Sequence, residues 1–412
     1  MMRTAYGFAP EKGGFMRYKL FVLVDAAGNR NAFFSMKQET SSAPIDTVMN
    51  RVRNGQMGKG YQKPYPASCW DLLVTSHLQK GFQDVTDLYR EKAVEEGLAP
   101  LADKEINRLF DQLVEAQESA IKKLYTVSFN VVTQAMVDEG QSLIHRIAET
   151  ADRDEVNDLL IRLFETIPRE MADVDTMLLH SDAAQAKQDI LMREQEVLDL
   201  MASRVARSGK AAQARHTILD EIGLSVRRPD EKEQALIGKL LSRESRGLLK
   251  QVVMVENALA SARLTAWEQA HGASRKDEHF LFHGTRSRNV LGILHRGLQI
   301  NPDAPRNGSM FGHGSYFAAR AKKSLGYTDL KGYGHWVGGQ EGTGYLLVFR
   351  VAYRHQKDVH LWTPACSDYS GKRIRPYDAV FAHKGRDLVN DEIIVYDEAQ
   401  SAPWALLEMA PA

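Results

Sequence analysis

Two segments set the fold of the last third of this 412-residue chain: Phe282-His283-Gly284-Thr285-Arg286 and, further along, Met310-Phe311-Gly312-His313-Gly314-Ser315-Tyr316-Phe317-Ala318. Both segments combine glycines with aromatic residues, a composition that is typical of short strands joined by tight turns. Ser324 and Tyr327 follow them, and the apolar run that closes the pattern lies within residues 390–396 (NDEIIVY). Each piece alone fits an ordinary structural role, but four of them in this order are unlikely to have come together by chance.

The four pieces together resemble the His-Tyr-Glu signature of poly(ADP-ribose) polymerases and related diphtheria-toxin-like transferases. The resemblance covers residues 281–396 and extends to the residues that flank each piece. It implies a mainly β catalytic domain that transfers ADP-ribose from its substrate NAD to an acceptor and releases nicotinamide. It implies no metal ion.

The same resemblance assigns roles to individual residues. The catalytic residues would be Glu392, His283 and Tyr316. The NAD-binding residues would be His283, Gly284, Thr285, Asn289, Tyr316, Lys323, Ser324 and Tyr327. Gly284 and Ser324 would hold the nicotinamide amide, and the rings of Tyr327 and Tyr316 would lie on its two sides. His283 would bind the adenine ribose and Asn289 the adenosine, while Lys323 and Met310 would help chain elongation and acceptor binding.

The chemistry of these residue types suits that reaction. Cleavage of the bond between nicotinamide and ribose develops positive charge on the sugar, which a carboxylate such as that of Glu392 can stabilise. An aromatic surface holds the leaving ring, and a carboxamide needs one donor and one acceptor to fix its rotation. Glycine lets the backbone approach closely enough to provide both.

Two positions depart from the family pattern. Gln299 stands where an arginine near the adenosine is frequent, so we expect a weaker grip on that end of NAD. Ser309 replaces an aromatic residue before Met310, so we expect a more open pocket.

The N-terminal region resembles a WGR domain, a small α+β domain that meets broken DNA in DNA-dependent polymerases. The matching stretches are residues 31–34, 48–52, 55–58 and 70–86. The Trp-Gly-Arg motif is degenerate, because Met49 and Asn50 replace its first two residues. Arg51 remains and, with Arg53 and Lys59, forms a basic cluster that predicts phosphate binding. A solvated loop on a scaffold domain is the alternative.

The middle region has helical periodicity and resembles the helical regulatory domain of the same polymerases. Residues 163–168 (LFETIP) and 178–187 (LLHSDAAQAK) carry the resemblance. Asp189 and Glu196, seven residues apart and therefore on one helical face, match two acidic positions of the family's helix that lines the NAD pocket. Residues 208–215 (SGKAAQAR) are small, polar and basic, and they predict a linker.

We therefore expect a multidomain α+β protein with a WGR-like domain at 1–90, an all-α regulatory bundle at 91–215 and the transferase at 216–412. The 53 basic and 53 acidic residues cancel, so the chain is not expected to be coated in nucleic acid. No apolar run is long enough for a membrane span, and two cysteines are too few for a disulfide framework. These features predict an intracellular protein, in the cytoplasm, nucleoid or nucleus, and we also expect a monomer.

The expected function is a poly(ADP-ribose) polymerase that is stimulated by DNA breaks, restrained by its helical domain and modifies proteins, itself included. Transfer of a single ADP-ribose to a protein or a nucleic-acid end is one alternative. A DNA-end-binding sensor of NAD or ADP-ribose without catalysis is another, against which an intact Glu392 argues. An RNA 2′-phosphotransferase fits the pair of Tyr316 and Glu392 less well.

Overall fold

The computed structural model describes residues 17–53, 56–86, 98–125, 132–171, 173–208, 216–300 and 310–411. They form two compact units, of which the first holds the described residues up to 86 together with 119–208. The second holds residues 98–118 and the described residues from 216 onward. Helices and several sheets occur together, as the expected α+β class requires. The division at 90 and 215 remains a prediction, because residues 87–97 and 209–215 lie outside the described ones.

The first unit contains a five-stranded antiparallel sheet with the strand order β4-β3-β2-β1-β5. Its strands are β1 (Arg17–Asp25), β2 (Arg30–Gln38), β3 (Ile45–Arg53), β4 (Gln56–Tyr65) and β5 (Gln83–Asp84). Its helices are α1 (Trp70–Gln79), the last residues of α2 (Lys104–Leu124), α3 (Gln134–Glu149), α4 (Arg153–Thr166) and α5 (Ala184–Ser208).

Strand β1 is buried on both faces. Leu20 and Val22 belong to the apolar cluster that includes helices α3, α4 and α5, whereas Phe21 belongs to the cluster around Trp70 of α1. Successive side chains of a strand point to opposite faces, so a strand covered on both sides needs apolar residues at every position. This explains the unbroken apolar run at residues 20–24.

The predicted DNA-binding residues lie on neighbouring strands. Arg51 and Arg53 belong to β3, where they pair with Gly58 and Gln56 of β4, and Lys59 follows on β4. Their side chains lie outside the described ones. The predicted acidic pair lies on α5, with Asp189 exposed and Glu196 half-buried.

The second unit contains two sheets, with the strand orders β6-β7-β14-β10-β8 and β11-β12-β13-β9. Its strands are β6 (Leu224–Arg227), β7 (Leu249–Asn257), β8 (Glu278–Gly284), β9 (Ser315–Phe317), β10 (Gly344–Ala352), β11 (Gln356–Val359), β12 (Ala379–Ala382), β13 (Glu392–Val395) and β14 (Ser401–Met409). Its helices are the first residues of α2, α6 (Ile218–Ile222), α7 (Glu231–Leu240), α8 (Arg243–Gly247), α9 (Ala258–His271), α10 (Ser287–Arg296) and α11 (Ala321–Leu325). Pairing is antiparallel throughout except between β11 and β12.

Strand β10 is the buried strand that the run YLLVFRV predicts. Leu347 and Phe349 pack into the cluster that contains α10, and Leu346 and Val348 pack into the cluster on the other face. All four side chains are fully buried. The core of the second unit therefore lies on both faces of the larger sheet, and β8, which ends at the motif of residues 282–286, pairs with β10.

Apolar residues at i, i+3, i+4 and i+7 from Ile106 predict a helix with one buried face, and the start of α2 confirms this pattern. Ile106, Leu109, Phe110 and Leu113 are all buried in the core of the second unit. Arg108, on the other side of the helix, pairs with Glu408 at 2.6 Å. In the part of the chain that the structure describes, no helix has the length and apolar character needed to cross a membrane.

Asn257 connects two helices of the second unit. Its Oδ1 accepts a hydrogen bond from the Ala260 amide at 3.0 Å and so caps the start of α9. Its Nδ2 donates to the carbonyl oxygens of Leu294 at 2.9 Å and His295 at 2.8 Å, which belong to the last turn of α10. The side chain is 5% exposed, so water cannot easily replace these bonds.

Substitution of Asn257 with alanine is expected to lower the free energy of unfolding by roughly 2 to 3 kcal/mol, because buried backbone groups lose their partners. Urea denaturation followed by tryptophan fluorescence measures the change. Gln234→Ala, at an exposed position of α7, is the control and should change the value by less than about 0.5 kcal/mol. Equal midpoints for the two variants would contradict the assignment.

Candidate active site

A short backbone bridge joins the two sheets of the second unit. The Phe282 amide donates to the Ala318 carbonyl oxygen at 2.8 Å, and the Ala318 amide donates to the Phe282 carbonyl oxygen at 2.9 Å. Phe282 precedes the last two residues of β8, and Ala318 directly follows β9. The bridge therefore brings the two glycine-rich motifs of the sequence side by side.

A pocket of about 170 Å³ opens beside this bridge. Most of its lining comes from the two motifs, α11 and the start of β13. The lining residues are Phe282, His283, Gly284, Leu298, Gly312, His313, Gly314, Ser315, Tyr316, Phe317, Ala318, Lys323, Ser324, Tyr327 and Glu392. All three predicted catalytic residues and most of the predicted NAD-binding residues thus line one pocket.

Gly284 lies where only a glycine fits. A Cβ atom at this position would be 1.7 Å from the carbonyl oxygen of Ser324. The Ser324 hydroxyl donates to the Phe282 carbonyl oxygen at 3.2 Å, which ties α11 to β8 from the same side. The backbone of β8 consequently reaches the pocket with no side chain in front of it at residue 284.

His283 is oriented by the neighbouring strand. Its Nδ1 lies 3.1 Å from the carbonyl oxygen of Tyr316. A carbonyl oxygen can only accept, so Nδ1 carries the proton, and in the neutral ring Nε2 is then the acceptor. The rings of Phe317 and Phe349 meet the imidazole edge-on, each with its centroid 6.2 Å away.

Tyr316 is held at its hydroxyl end. The hydroxyl donates to the Gly312 carbonyl oxygen at 2.8 Å and accepts from the Phe311 amide at 3.0 Å. Gly312 has a φ of +76°, and a Cβ there would be 2.0 Å from the Tyr369 carbonyl oxygen. The tight turn that this glycine permits therefore fixes the ring beside the pocket.

Glu392 forms a buried ion pair with Lys323. Glu392 begins β13 and is 8% exposed, and its Oε1 contacts the Lys323 ammonium group, which comes from α11. Its other oxygen, Oε2, is buried and has no hydrogen-bond partner among the residues that the structure describes. Burial lowers the pKa of Lys323, and the charge of Glu392 only partly opposes this effect.

Tyr327 also lines the pocket. It lies two residues after the end of α11, and its side chain is half-buried. Burial raises its pKa, and the nearby charge of Glu392 raises it further, so the phenol stays protonated at neutral pH. Its ring lies nearly parallel to that of Trp336, with a centroid distance of 6.2 Å.

Four other residues that the sequence analysis singled out do not line the pocket: Thr285, Asn289, Gln299 and Met310. Thr285 and Asn289 bond to each other, with Asn289 Nδ2 donating to Thr285 Oγ1 at 3.3 Å. Gln299 donates to the Arg296 carbonyl oxygen at 3.0 Å. Ser309 is outside the described residues.

Leu298 lines the pocket although the sequence analysis did not single it out. Helical spacing could not have found it, because α10 ends at Arg296 and Gly297, with φ of +80°, separates Leu298 from the helix. Among the described residues, no cluster of three or more His, Cys, Asp or Glu side chains could hold a metal ion.

Comparison with known proteins identifies the same region. Residues 232–355 match the profile of the poly(ADP-ribose) polymerase catalytic domain. This matched stretch includes His283, Gly284 and Tyr316 but ends before Glu392. A poly(ADP-ribose) polymerase-like protein, 100L of Invertebrate iridescent virus 6, is 30% identical over 138 residues. That alignment covers 31% of this chain and 67% of the viral protein.

Two further relatives complete the comparison. Protein 101L of the same virus is 26% identical over 184 residues, or 44% of this chain and 74% of its own length. Human poly(ADP-ribose) polymerase 2 is 42% identical over 84 residues, which are 19% of this chain and only 13% of the human enzyme. With its pocket and these relatives, the chain belongs to the poly(ADP-ribose) polymerase family and is an ADP-ribosyltransferase that uses NAD as its substrate.

Proposed function

We propose that this pocket binds the nicotinamide end of NAD and that Glu392 directs transfer of ADP-ribose to protein side chains, including those of the enzyme itself. Repeated transfer then builds poly(ADP-ribose). DNA breaks stimulate the reaction, and the helical segment restrains it.

The observation that carries the proposal is Oε2 of Glu392, which is buried and has no hydrogen-bond partner among the described residues. A buried oxygen without a hydrogen bond costs roughly 1 to 3 kcal/mol, and more when the group is charged. Such a cost points to a functional role, because a purely structural carboxylate would have its partners. A substrate hydroxyl group is the partner that this oxygen suits.

The neighbouring groups fit the leaving ring. The backbone of Gly284 supplies a donor and an acceptor for the carboxamide, and Ser324 adds a hydroxyl next to it. The rings of Tyr327 and Tyr316 lie on two sides of the pocket and offer flat surfaces to the pyridine ring. Together these groups hold nicotinamide in one orientation.

The reaction breaks the bond from nicotinamide to C1′ of the ribose, and nicotinamide leaves with both electrons of that bond. Positive charge then develops on the sugar, and the carboxylate of Glu392 stabilises it. An acceptor hydroxyl or carboxyl oxygen forms the new bond to C1′. Glu392 takes the proton of a hydroxyl acceptor, whereas a carboxylate acceptor has none to lose.

Lys323 holds the carboxylate in place. Its ammonium group bonds one oxygen of Glu392 and leaves the other for the acceptor. His283 presents a ring nitrogen to a ribose hydroxyl at the adenosine side. Thr285 and Asn289, which bond to each other outside the pocket lining, are further contacts of the adenosine in this proposal.

The DNA response is assigned to the cluster of Arg51, Arg53 and Lys59. Three cations on two adjacent strands suit a phosphate backbone, and binding of this type is electrostatic. The restraint is assigned to the helical segment, in which Asp189 and Glu196 share one face of α5. Restraint of this kind is a coupling between two sites.

The first prediction of this proposal concerns Glu392→Gln. The amide keeps the size of the side chain but loses the charge, so ADP-ribose transfer should fall about 100- to 1000-fold, or roughly 3 to 4 kcal/mol, with NAD affinity nearly unchanged. Calorimetry measures the affinity, and labelled NAD followed by product sizing measures transfer and separates polymer from single units.

Glu256→Gln is the control, because Glu256 is an exposed carboxylate on β7 of the same unit. It should transfer ADP-ribose at the wild-type rate. Near-normal transfer by Glu392→Gln would refute the assigned mechanism.

The second prediction concerns alkaline pH. The pKa of Lys323 is lowered from its ordinary value of 10.5, so the lysine becomes neutral and the ion pair with Glu392 is lost as pH rises through a value below 10.5. Activity should therefore decline on the alkaline side, and Lys323→Gln should be less active and lack this decline. The measurement is a pH profile of initial rates.

Tyr327→Phe is the matched control. The pKa of Tyr327 is raised above its ordinary value of 10.0. Phenylalanine has no group to titrate and leaves the ion pair of Lys323 and Glu392 intact, so the alkaline decline should remain in this variant. A decline that persists unchanged in Lys323→Gln would exclude the ion pair as its cause.

The third prediction concerns DNA. Arg51→Ala should reduce stimulation by nicked DNA and make DNA binding less sensitive to salt, because fewer counterions are released. Arg153→Ala, an exposed arginine of α4 in the same unit, is the control. Activity is assayed with labelled NAD over a series of salt concentrations. Unchanged stimulation in Arg51→Ala would mean that this region does not read DNA.

A further inference from the structure

Trp336 is an exposed aromatic residue next to the pocket. It is 63% exposed, although tryptophan is largely buried in most proteins. Trp336 does not line the pocket itself, but its ring lies against the ring of Tyr327, and Tyr327 does line the pocket. An exposed tryptophan at the edge of an active site calls for a physical explanation.

The loop that carries Trp336 has a narrowly defined path. The loop connects α11 to β10, and the Trp336 amide donates to the Gly326 carbonyl oxygen at 3.0 Å. A Cβ at Gly334 would lie 1.9 Å from the Thr328 carbonyl oxygen, and one at Gly339 would lie 2.7 Å from the backbone of Asp329. The loop could not close without these two glycines, which allow the chain to come back to Gly326.

Gly326 has a different reason to be glycine. Its backbone is right-handed helical, with φ of −60°, which any residue can adopt. A Cβ there, however, would be 2.6 Å from Cδ1 of Trp336. The missing side chain lets the indole pack directly against the backbone that leads into Tyr327.

The two rings have the geometry of an aromatic pair. Their centroids are 6.2 Å apart and their planes differ by 20°. Aromatic pairs attract at centroid distances of about 4.5 to 7 Å, beyond the effect of area burial. One part of the half-buried Tyr327 side chain therefore faces the pocket, and another part faces Trp336.

We propose that Trp336 is a positioning residue that holds the ring of Tyr327 in the plane required to stack on nicotinamide. This inference rests on the proposed role of Tyr327 in the pocket. The indole restricts rotation of the phenol ring, and the closed loop restricts the indole. The enzyme thus binds nicotinamide and NAD with Tyr327 already in place, which saves the entropy of ordering that ring.

The test compares wild-type protein with Trp336→Ala and Trp336→Phe. In Trp336→Ala the Kd of nicotinamide and the KM of NAD should rise about 2- to 12-fold, the factor that corresponds to an aromatic pair, while kcat changes less than twofold. Trp336→Phe should restore both constants to within about twofold of wild type. Calorimetry with nicotinamide and initial rates with NAD give the two readouts.

A double-mutant cycle separates positioning from a general structural effect. If Trp336 acts through Tyr327, Trp336→Ala should add nothing in a Tyr327→Ala background. Gly326→Ala, which displaces the indole without deleting it, should raise the same constants. Tyr377→Ala, which removes another exposed ring of the same unit, is the control and should change neither.

The outcomes are distinct. Unchanged nicotinamide affinity in both Trp336→Ala and Gly326→Ala overturns the positioning role, as does an additive effect in the double-mutant cycle. A wild-type protein that binds nicotinamide but turns over no NAD overturns the proposed function instead. In that case the calorimetric comparison still decides the role of Trp336.

Discussion

The two hydrogen bonds between Phe282 and Ala318 are the interaction on which the active site depends. They are the bridge at which β8 of the larger sheet meets β9 of the smaller one. His283 and Gly284 follow on one side of the bridge, and Tyr316 precedes it on the other. Because the bonded groups belong to the backbone, this arrangement depends on the register of the strands more than on any one side chain.

Close approach of backbones shapes the rest of the pocket. Side chains at Gly284, Gly312 or Gly314 would overlap the backbone or side chains of Ser324, Tyr369 or Ile394. The glycines therefore do more than permit turns. They let separate segments come near enough for backbone groups to form the wall of the pocket, and the aromatic residues then supply its flat surfaces.

The ion pair between Glu392 and Lys323 is costly to bury. Removal of two charges from water is expensive, and their attraction repays the cost only when the remaining polar atoms are satisfied. One oxygen of Glu392 is left without a partner among the described residues. The pair thus lowers stability, a departure from local consistency that is expected at active sites and that fits the proposed role of this carboxylate.

Elements whose pattern is local could be predicted from the order of the amino acids. Helical spacing predicted the buried face of α2, and the run YLLVFRV predicted β10. The order of the glycine-rich motifs predicted that His283, Tyr316 and Glu392 would share a site, and one pocket does hold all three. The roles of these residues stay predictions.

The tertiary structure decided what depends on segments far apart in the chain. The partners Lys323 and Glu392 are 69 residues apart, and the polar character of either residue gives no sign of the other. The loop that places Trp336 against Tyr327 closes through backbone contacts that composition does not reveal. Which predicted residues actually line the pocket was likewise decided by the fold, because side-chain direction depends on strand register and on contacts between sheets, and neither is encoded locally.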